Sequence, residues 1–344
     1  MADDGELIAG LPCWRERHGS GFSISVTPTG ELVESLGLGE GRTNCNYIVS
    51  ITSRGGGHEA DGYFVRVGRD LPYYGVTRAK EQAASRAAAR ADIGPQVFYA
   101  SDGVLVTALL DGRALSEQAL QEATAQESGS VLLNAMCDTM RALHAVPLPL
   151  ELLETVDAGA PPCWAPPDLQ RWLAYARKEQ YCRLPVVEDG YTLLPMLEAA
   201  AGHLDPEKDP PRFCHFDLLP DNFVRANRPS DGGECVWVVD FEYAAAGQPL
   251  MDVAILSMGA SLDAQREQVL LQAYLGAPLT AEVQRRFRAL KVLAALRETL
   301  WGVVAEQSGS SAISGEEAEN YTNANYAKLC KLRAVFELAE TSTC

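Results

Sequence analysis

The chain has 344 residues, is 47% hydrophobic and carries a formal charge of -17, enough apolar content for two small cores or one two-lobed body. So acidic a surface repels phosphate backbones and disfavours a nucleic-acid partner, and no run of about 18 apolar residues is present to span a membrane. The acidic opening MADDGELIAGLPCW is unlike a secretory signal, and nine scattered cysteines without a C-x-x-C pair suit reduced thiols, so a cytoplasmic protein is expected.

Taken in chain order, YIVSIT (47–52) and GYFVRVG (62–68) are short β-branched and aromatic runs. The glycine-rich SRGGGHEAD between them predicts a hairpin. TRAKEQAASRAAAR (77–90) is rich in helix formers, lacks glycine and proline, and stops before Gly94-Pro95. QVFYA and GVLVTALL follow as strands around the turn Ser101-Asp102-Gly103 and end at Asp111-Gly112. Beyond that point apolar residues recur at helical spacing in ALSEQALQEA, VLLNAMCDTMRALHAV, LQRWLAYARKEQY and TLLPMLEAAAGHL. One β island, FVRANRPSDGGECVWVVDF, turns at Asn227, Pro229 and Asp231-Gly232-Gly233. Two long helices complete the pattern. The first is capped by Thr280 and fails at Ser308-Gly309; the second opens with Ser314 and Glu317 in capping-box spacing and runs towards Glu340. The expected architecture is α+β: a β-rich lobe over 1–110, a hinge near 106–112, and a larger helical lobe over 111–344 with a hairpin buried among its helices.

The chemistry concentrates in CHFDLLPDNFV and VWVVDFEY. The first places His215, Asp217 and Asn222 in the spacing H-x-D-x-x-x-x-N, and the second sets Asp240 at the end of an apolar strand. Phosphoryl transfer needs a carboxylate near the attacking hydroxyl and oxygen ligands for magnesium on the phosphates. A hairpin leaving at Phe223 and returning at Val239 brings Asp240 beside Asn222, although 18 positions separate them. Asp217 is then the catalytic base, Asn222 and Asp240 are the metal ligands, and His215 braces the loop without carrying a proton.

These segments resemble the catalytic loop and the D-[FW]-E-Y segment of the choline/ethanolamine kinase family, within the protein-kinase-like phosphotransferases. The resemblance extends over most of the chain and is closer to the bacterial-type branch. It implies a two-lobed protein-kinase-like fold using ATP and Mg2+. GRTNCNYIV (41–49) resembles the family's phosphate-loop strand and contributes Asn44. YFVRVG resembles the strand ending in R-I-x-G, which places Arg66 as a phosphate clamp. Glu81 matches the acid that orients it. GVLVTALLDG (103–112) resembles the strand and hinge against which adenine lies, read by backbone groups from Val106 through Ala108 to Leu109. Asp252, in QPLMDVA, matches the aspartate that braces the catalytic loop, although an acid at a helix N-terminus fits the same pattern.

LRETLWGVVAEQ (296–307) and NYTNANY (320–326) resemble the helices whose aromatic residues enclose a quaternary ammonium by cation–π attraction. Trp301 lies off the apolar stripe of Leu293, Leu296, Leu300 and Val303 and shares a face with Glu298, Ala294 and Ala305. It fits a pocket wall, with core packing as the alternative. Tyr321 is similarly poised, and Glu242 faces either the acceptor or the loop. Two departures stand out. Val304 occupies the place of a second tryptophan in eukaryotic members, and VAILSMGAS lacks the acid that they carry in that helix. The implied activity is ATP-dependent phosphorylation of a small amino alcohol, choline first and ethanolamine second. Alternatives are an aminoglycoside or other metabolite kinase and, in a different class, a catalytically dead nucleotide-binding protein, against which Asp217, Asn222 and Asp240 together argue. The expected partners are that small substrate and no nucleic acid or membrane; the sequence leaves a homodimer open.

Overall fold

The computed structural model describes residues 4–31, 44–53, 60–101, 103–125, 130–153, 168–202, 210–228, 232–309 and 313–341. The glycine-rich link at 54–59, residues 41–43 of the phosphate-loop segment, Asp102, the turn residues 229–231 and the end of the fourth helical run lie outside them.

Two short helices, α1 (Asp4–Ala9) and α2 (Pro12–His18), precede the first strand and were not expected from the sequence. Pro12 sits in the first turn of α2, where a missing N–H costs no intrahelical bond. Next come β1 (Phe22–Pro28), β2 (Cys45–Ser53) and β3 (Asp61–Val67), then α3 (Arg78–Arg90), β4 (Val97–Ser101) and β5 (Val104–Ala108). The strands form one antiparallel sheet in the order β1-β2-β3-β5-β4. Ile8 and Trp14 pack on one face against Val49, Ile51, Tyr63, Val65, Val104 and Val106. Alternation along β5 therefore sends Val104 and Val106 into this core and Leu105 and Thr107 to the opposite face.

The hairpin is not alone among helices. A short strand, β6 (Gly112–Ala114), pairs with β8 (Phe223–Asn227), which pairs in turn with β9 (Glu234–Val238). Of the helices that follow, α4 (Glu117–Ala123), α5 (Val131–Ala145), α6 (Leu150–Leu153), α7 (Asp168–Lys178) and α8 (Val186–Ala201), α5 packs on β9 of this sheet. The strands β7 (Arg212–Cys214) and β10 (Ala245–Gly247) pair with each other. The remaining helices are α9 (Pro249–Gly259), α10 (Ala264–Leu275), α11 (Ala281–Ser308) and α12 (Gly315–Thr341). This is the expected β-rich N-terminal lobe with a larger helical C-terminal lobe. Capping behaves as the sequence suggests. Thr280 accepts from the Val283 N–H at 3.2 Å, and Ser314 and Glu317 exchange bonds of 2.6 and 3.3 Å as a capping box. Such caps contribute about 1 kcal/mol each.

One expectation changes in kind. The apolar stripe predicts an amphipathic α11, yet residues 289–305 are buried without interruption. The helix packs against α7, α8, α9 and α12, so the polar residues within 289–305 meet protein more than bulk water. Gly302 permits a close approach to α12. A Cβ there would lie 3.0 Å from Thr322 Cα on α12 and nearer still to its hydroxyl. Trp301 and Tyr321, the neighbours of this crossing, are thereby brought together.

Candidate active site

The loop between β7 and β8 is held from below. Asp252, fully buried in α9, accepts the backbone N–H groups of His215 and Phe216, each at 2.8 Å. The His144 Nε2 lies 3.0 Å from the same carboxylate, and the His144 Nδ1 lies 2.7 Å from the Tyr274 hydroxyl. Hydrogen bonds to a charged group contribute about 1.5–3 kcal/mol, enough to hold Phe216 at its positive φ of 59°. Asp252 thus braces the loop. His215 adds a second brace: its Nε2 donates to the Val239 carbonyl at 2.9 Å, and its Nδ1 accepts the Asp217 N–H at 3.2 Å. Burial lowers its pKa and keeps the ring neutral.

The β8–β9 register sets Phe223 opposite Val238, and the Val239 N–H donates to the Asn222 carbonyl at 3.0 Å. Asp240 lies two residues beyond the end of β9, with φ of 68°. The Asn222 amide nitrogen donates to the Asp217 carbonyl at 2.6 Å and approaches its carboxylate at 3.4 Å.

At the N-terminal side, one Arg66 nitrogen lies 2.7 Å from Glu81 and 2.5 Å from Asp240, while its Nε donates to Asn46 Oδ1 at 3.2 Å. Burial alone would raise the Asp240 pKa, but Arg66 first, with Arg78 among the groups behind it, holds this carboxyl below its usual range. Arg78 donates to the other Glu81 oxygen at 2.5 Å and lies 3.6 Å from Glu242, which also accepts from Asn44 at 2.9 Å. The result is an alternating chain, Glu242–Arg78–Glu81–Arg66–Asp240, tying β3 and α3 to the segment after β9. Gly68 makes room for it: a Cβ there would sit 2.5 Å from Asn44 Oδ1 and 3.2 Å from the Arg78 guanidinium carbon. Of the two orientations open to Glu242, the structure pairs its carboxylate with Asn44 and Arg78.

A cavity of about 810 Å³ runs past this chain. One end is lined by Leu105, Thr107, Ala108 and Leu110; the Val106 side chain lies on the far side of the sheet. The N–H groups of Ala108 and Leu109 already donate to the carbonyls of Gln96 (2.8 Å) and Gly62 (3.4 Å). A base lying there must use other backbone groups. The opposite end is lined by Trp301, Tyr321, Tyr243 and Glu298. The Trp301 ring is 5.1 Å from Tyr321 and 5.5 Å from Tyr74, and its N–H donates to the Tyr243 hydroxyl at 2.9 Å. The Tyr321 hydroxyl donates to Glu298.

Asp217 lies between these ends. Burial, and next the Glu298 carboxylate, push its pKa well up against the pull of Arg297. Among the described residues lining the cavity, seven acids, Glu81, Glu117, Asp217, Asp221, Asp240, Glu242 and Glu298, are set against three cations, Arg66, Arg297 and Lys328. Such a balance suits positively charged ligands more than anions alone.

Arg66, Glu81, Asp217, Asn222, Asp240, Glu242, Trp301 and Tyr321 line one cavity, whereas Asn44 stays outside its lining, its amide donating to Glu242, and Asn46 takes the place on the wall. Sequence reasoning missed Asn46, Arg78, Tyr243, Tyr74, Asp168 and Arg297. Arg78 and Glu81 are three apart on a helix, and Tyr243 belongs to DFEY, so both left a local signal. Asp168 and Tyr74 left none.

A family model described as the phosphotransferase enzyme family matches residues 36–290. Among solved structures, the choline/ethanolamine kinase family protein of Mesorhizobium loti is 22% identical at a TM-score of 0.63, covering 96% of this chain and 94% of its own. Choline kinase LicA of Streptococcus pneumoniae is 19% identical at 0.62, covering 95% and 99%. The GDP and kanamycin complex of APH(2")-IIia is 20% identical at 0.52, covering 89% and 94%. At these identities the likeness is one of fold. No curated protein matches the chain.

Proposed function

The chain belongs to the phosphotransferase enzyme family, and from that premise we propose that it transfers the γ-phosphoryl group of ATP to the hydroxyl of a small amino alcohol, choline first and ethanolamine second. One observation carries this: Asp217, the pair Asn222 and Asp240, and the aromatic and acidic wall of Trp301, Tyr321 and Glu298 line a single cavity.

The donor set fits magnesium. Asp240 supplies a carboxylate, and Asn222, with its amide nitrogen engaged by Asp217, has its oxygen left as the ligand-forming group. When bound, the metal neutralises charge on the phosphates. Asp240 would exchange its Arg66 partner for the metal, leaving Arg66, oriented by Glu81, to contact phosphate oxygens. Adenine would lie against Leu105, Thr107 and Ala108. Asp217, fixed by its N–H bond to His215 and by Asn222, would accept the proton of the acceptor hydroxyl. Trp301 and Tyr321 would hold the ammonium, with Glu298 supplying negative charge; a cation over an aromatic face gains on the order of 0.5–2 kcal/mol.

The test is coupled ADP release with choline, ethanolamine, their methylated relatives and aminoglycosides. Release dependent on choline or ethanolamine is expected. Release with kanamycin and none with the amino alcohols would overturn the acceptor assignment and leave the kinase chemistry in place.

A further inference from the structure

Beside the aromatic wall, and itself lining the cavity, lies a cation that belongs to the protein. Arg297, 1% exposed, extends from α11 between the Tyr243 ring (4.8 Å) and the Trp172 ring (5.2 Å). Its Nη2 donates to Asp168 of α7 at 2.9 Å, with the Nε also facing that carboxylate, and its Nη1 donates to Glu298 at 3.0 Å. Both walls of the acceptor end depend on these contacts. Glu298, held by Arg297, receives the Tyr321 hydroxyl. Tyr243, under the guanidinium, receives the Trp301 indole N–H. A guanidinium suits this place because its plane stacks on rings while its edge satisfies two carboxylates at fixed angles, which an ammonium cannot do.

Resting on the acceptor reading of this end, we infer that Arg297, pinned by Asp168, is the positioning residue that sets acceptor specificity by orienting Tyr321 through Glu298 and Trp301 through Tyr243. An ion pair that merely joined α7 to α11 would change stability and leave the choice of acceptor alone. The two roles differ in what they move.

Arg297→Met, Arg297→Lys and Asp168→Asn are compared with the parent for the Michaelis constants of ATP, choline and the neutral choline isostere with carbon in place of nitrogen. Arg297→Met is expected to raise the choline constant roughly tenfold or more, to shift the ATP constant by less than about threefold, and to bring the choline-to-isostere ratio towards one. Asp168→Asn should act in the same direction and less strongly, and Arg297→Lys should recover part of the discrimination. Folded variants with parental choline constants and ratio would overturn the assignment. Should Arg297→Met fail to fold, unchanged discrimination in Asp168→Asn and Arg297→Lys would overturn it equally. If the parent uses no amino alcohol, the acceptor reading falls by itself, and a crystal structure of Asp168→Asn decides about Arg297. Loss of the 5.1 Å Trp301–Tyr321 contact would support positioning, and an unmoved pair would sink it.

Discussion

The two ends of the cavity are built in different ways. The end proposed to act on phosphates, with Asp217, Asn222 and Asp240, comes from one loop and one hairpin, with Arg66 and Glu81 from a strand and the helix after it. The wall proposed for the acceptor draws Tyr74, Asp168, Trp172, Tyr243, Arg297, Trp301 and Tyr321 from segments spread over more than two hundred positions. Short-range construction leaves a spacing motif that can be read. Long-range construction leaves single residues whose partners are known only once the helices have packed. On the proposed reading, the first end would report a reaction type and the second would hold the choice of substrate.

Substitutions should separate the ends accordingly. The largest effect is expected for Asp217→Asn, which should cut turnover by about two to four orders of magnitude with every acceptor while nucleotide binding stays near the parent value. Titration of ATP followed by single-turnover rates measures both, and turnover within about threefold of the parent would remove Asp217 from its role. Asp240→Ala should abolish magnesium-dependent turnover, and Asn222→Ala should weaken it less, because a carboxylate neutralises metal charge as an amide cannot. Normal magnesium dependence in the Asp240 variant would count against both ligands. Arg66→Ala should raise the Michaelis constant for ATP and lower turnover, since the phosphates lose a two-pronged partner. A change confined to the acceptor constant would move Arg66 to the other end. The smallest and most selective effect belongs to Trp301→Ala, which should weaken the acceptor roughly tenfold with little change for ATP, while Trp301→Phe restores part of it. An acceptor constant unaffected by the alanine would return Trp301 to core packing.

Legibility followed the same division. The hairpin of β2 and β3, the helix after it, and the caps at Thr280 and Ser314 were readable because each depends on neighbours within a few positions. The helices α1 and α2 were not, since PCWRERH and DGELIA are too short and too polar to show a period. Three residues of β6 likewise carry no signal, and their strand character comes from pairing with β8. The helix α8 begins at Val186, ahead of the expected TLLPMLEAAAGHL run, and carries Pro195 inside it.

By itself, then, the sequence determined the catalytic loop, its spacing to Asp240, and the strands and helices that carry Arg66 and Glu81, because covalent neighbours and a hairpin register fix those distances. Tertiary structure alone decided which way Glu242 turned, since Asn44 and Arg78 meet it from segments far back in the chain. It also converted the expected stripe of α11 into a stretch, 289–305, buried all round, where a polar side chain must find a protein partner or bear the full cost of desolvation. Arg297 and Glu298 found theirs in Asp168 and Tyr321, and that pairing, invisible along the chain, shapes the end of the cavity where Trp301 and Tyr321 meet.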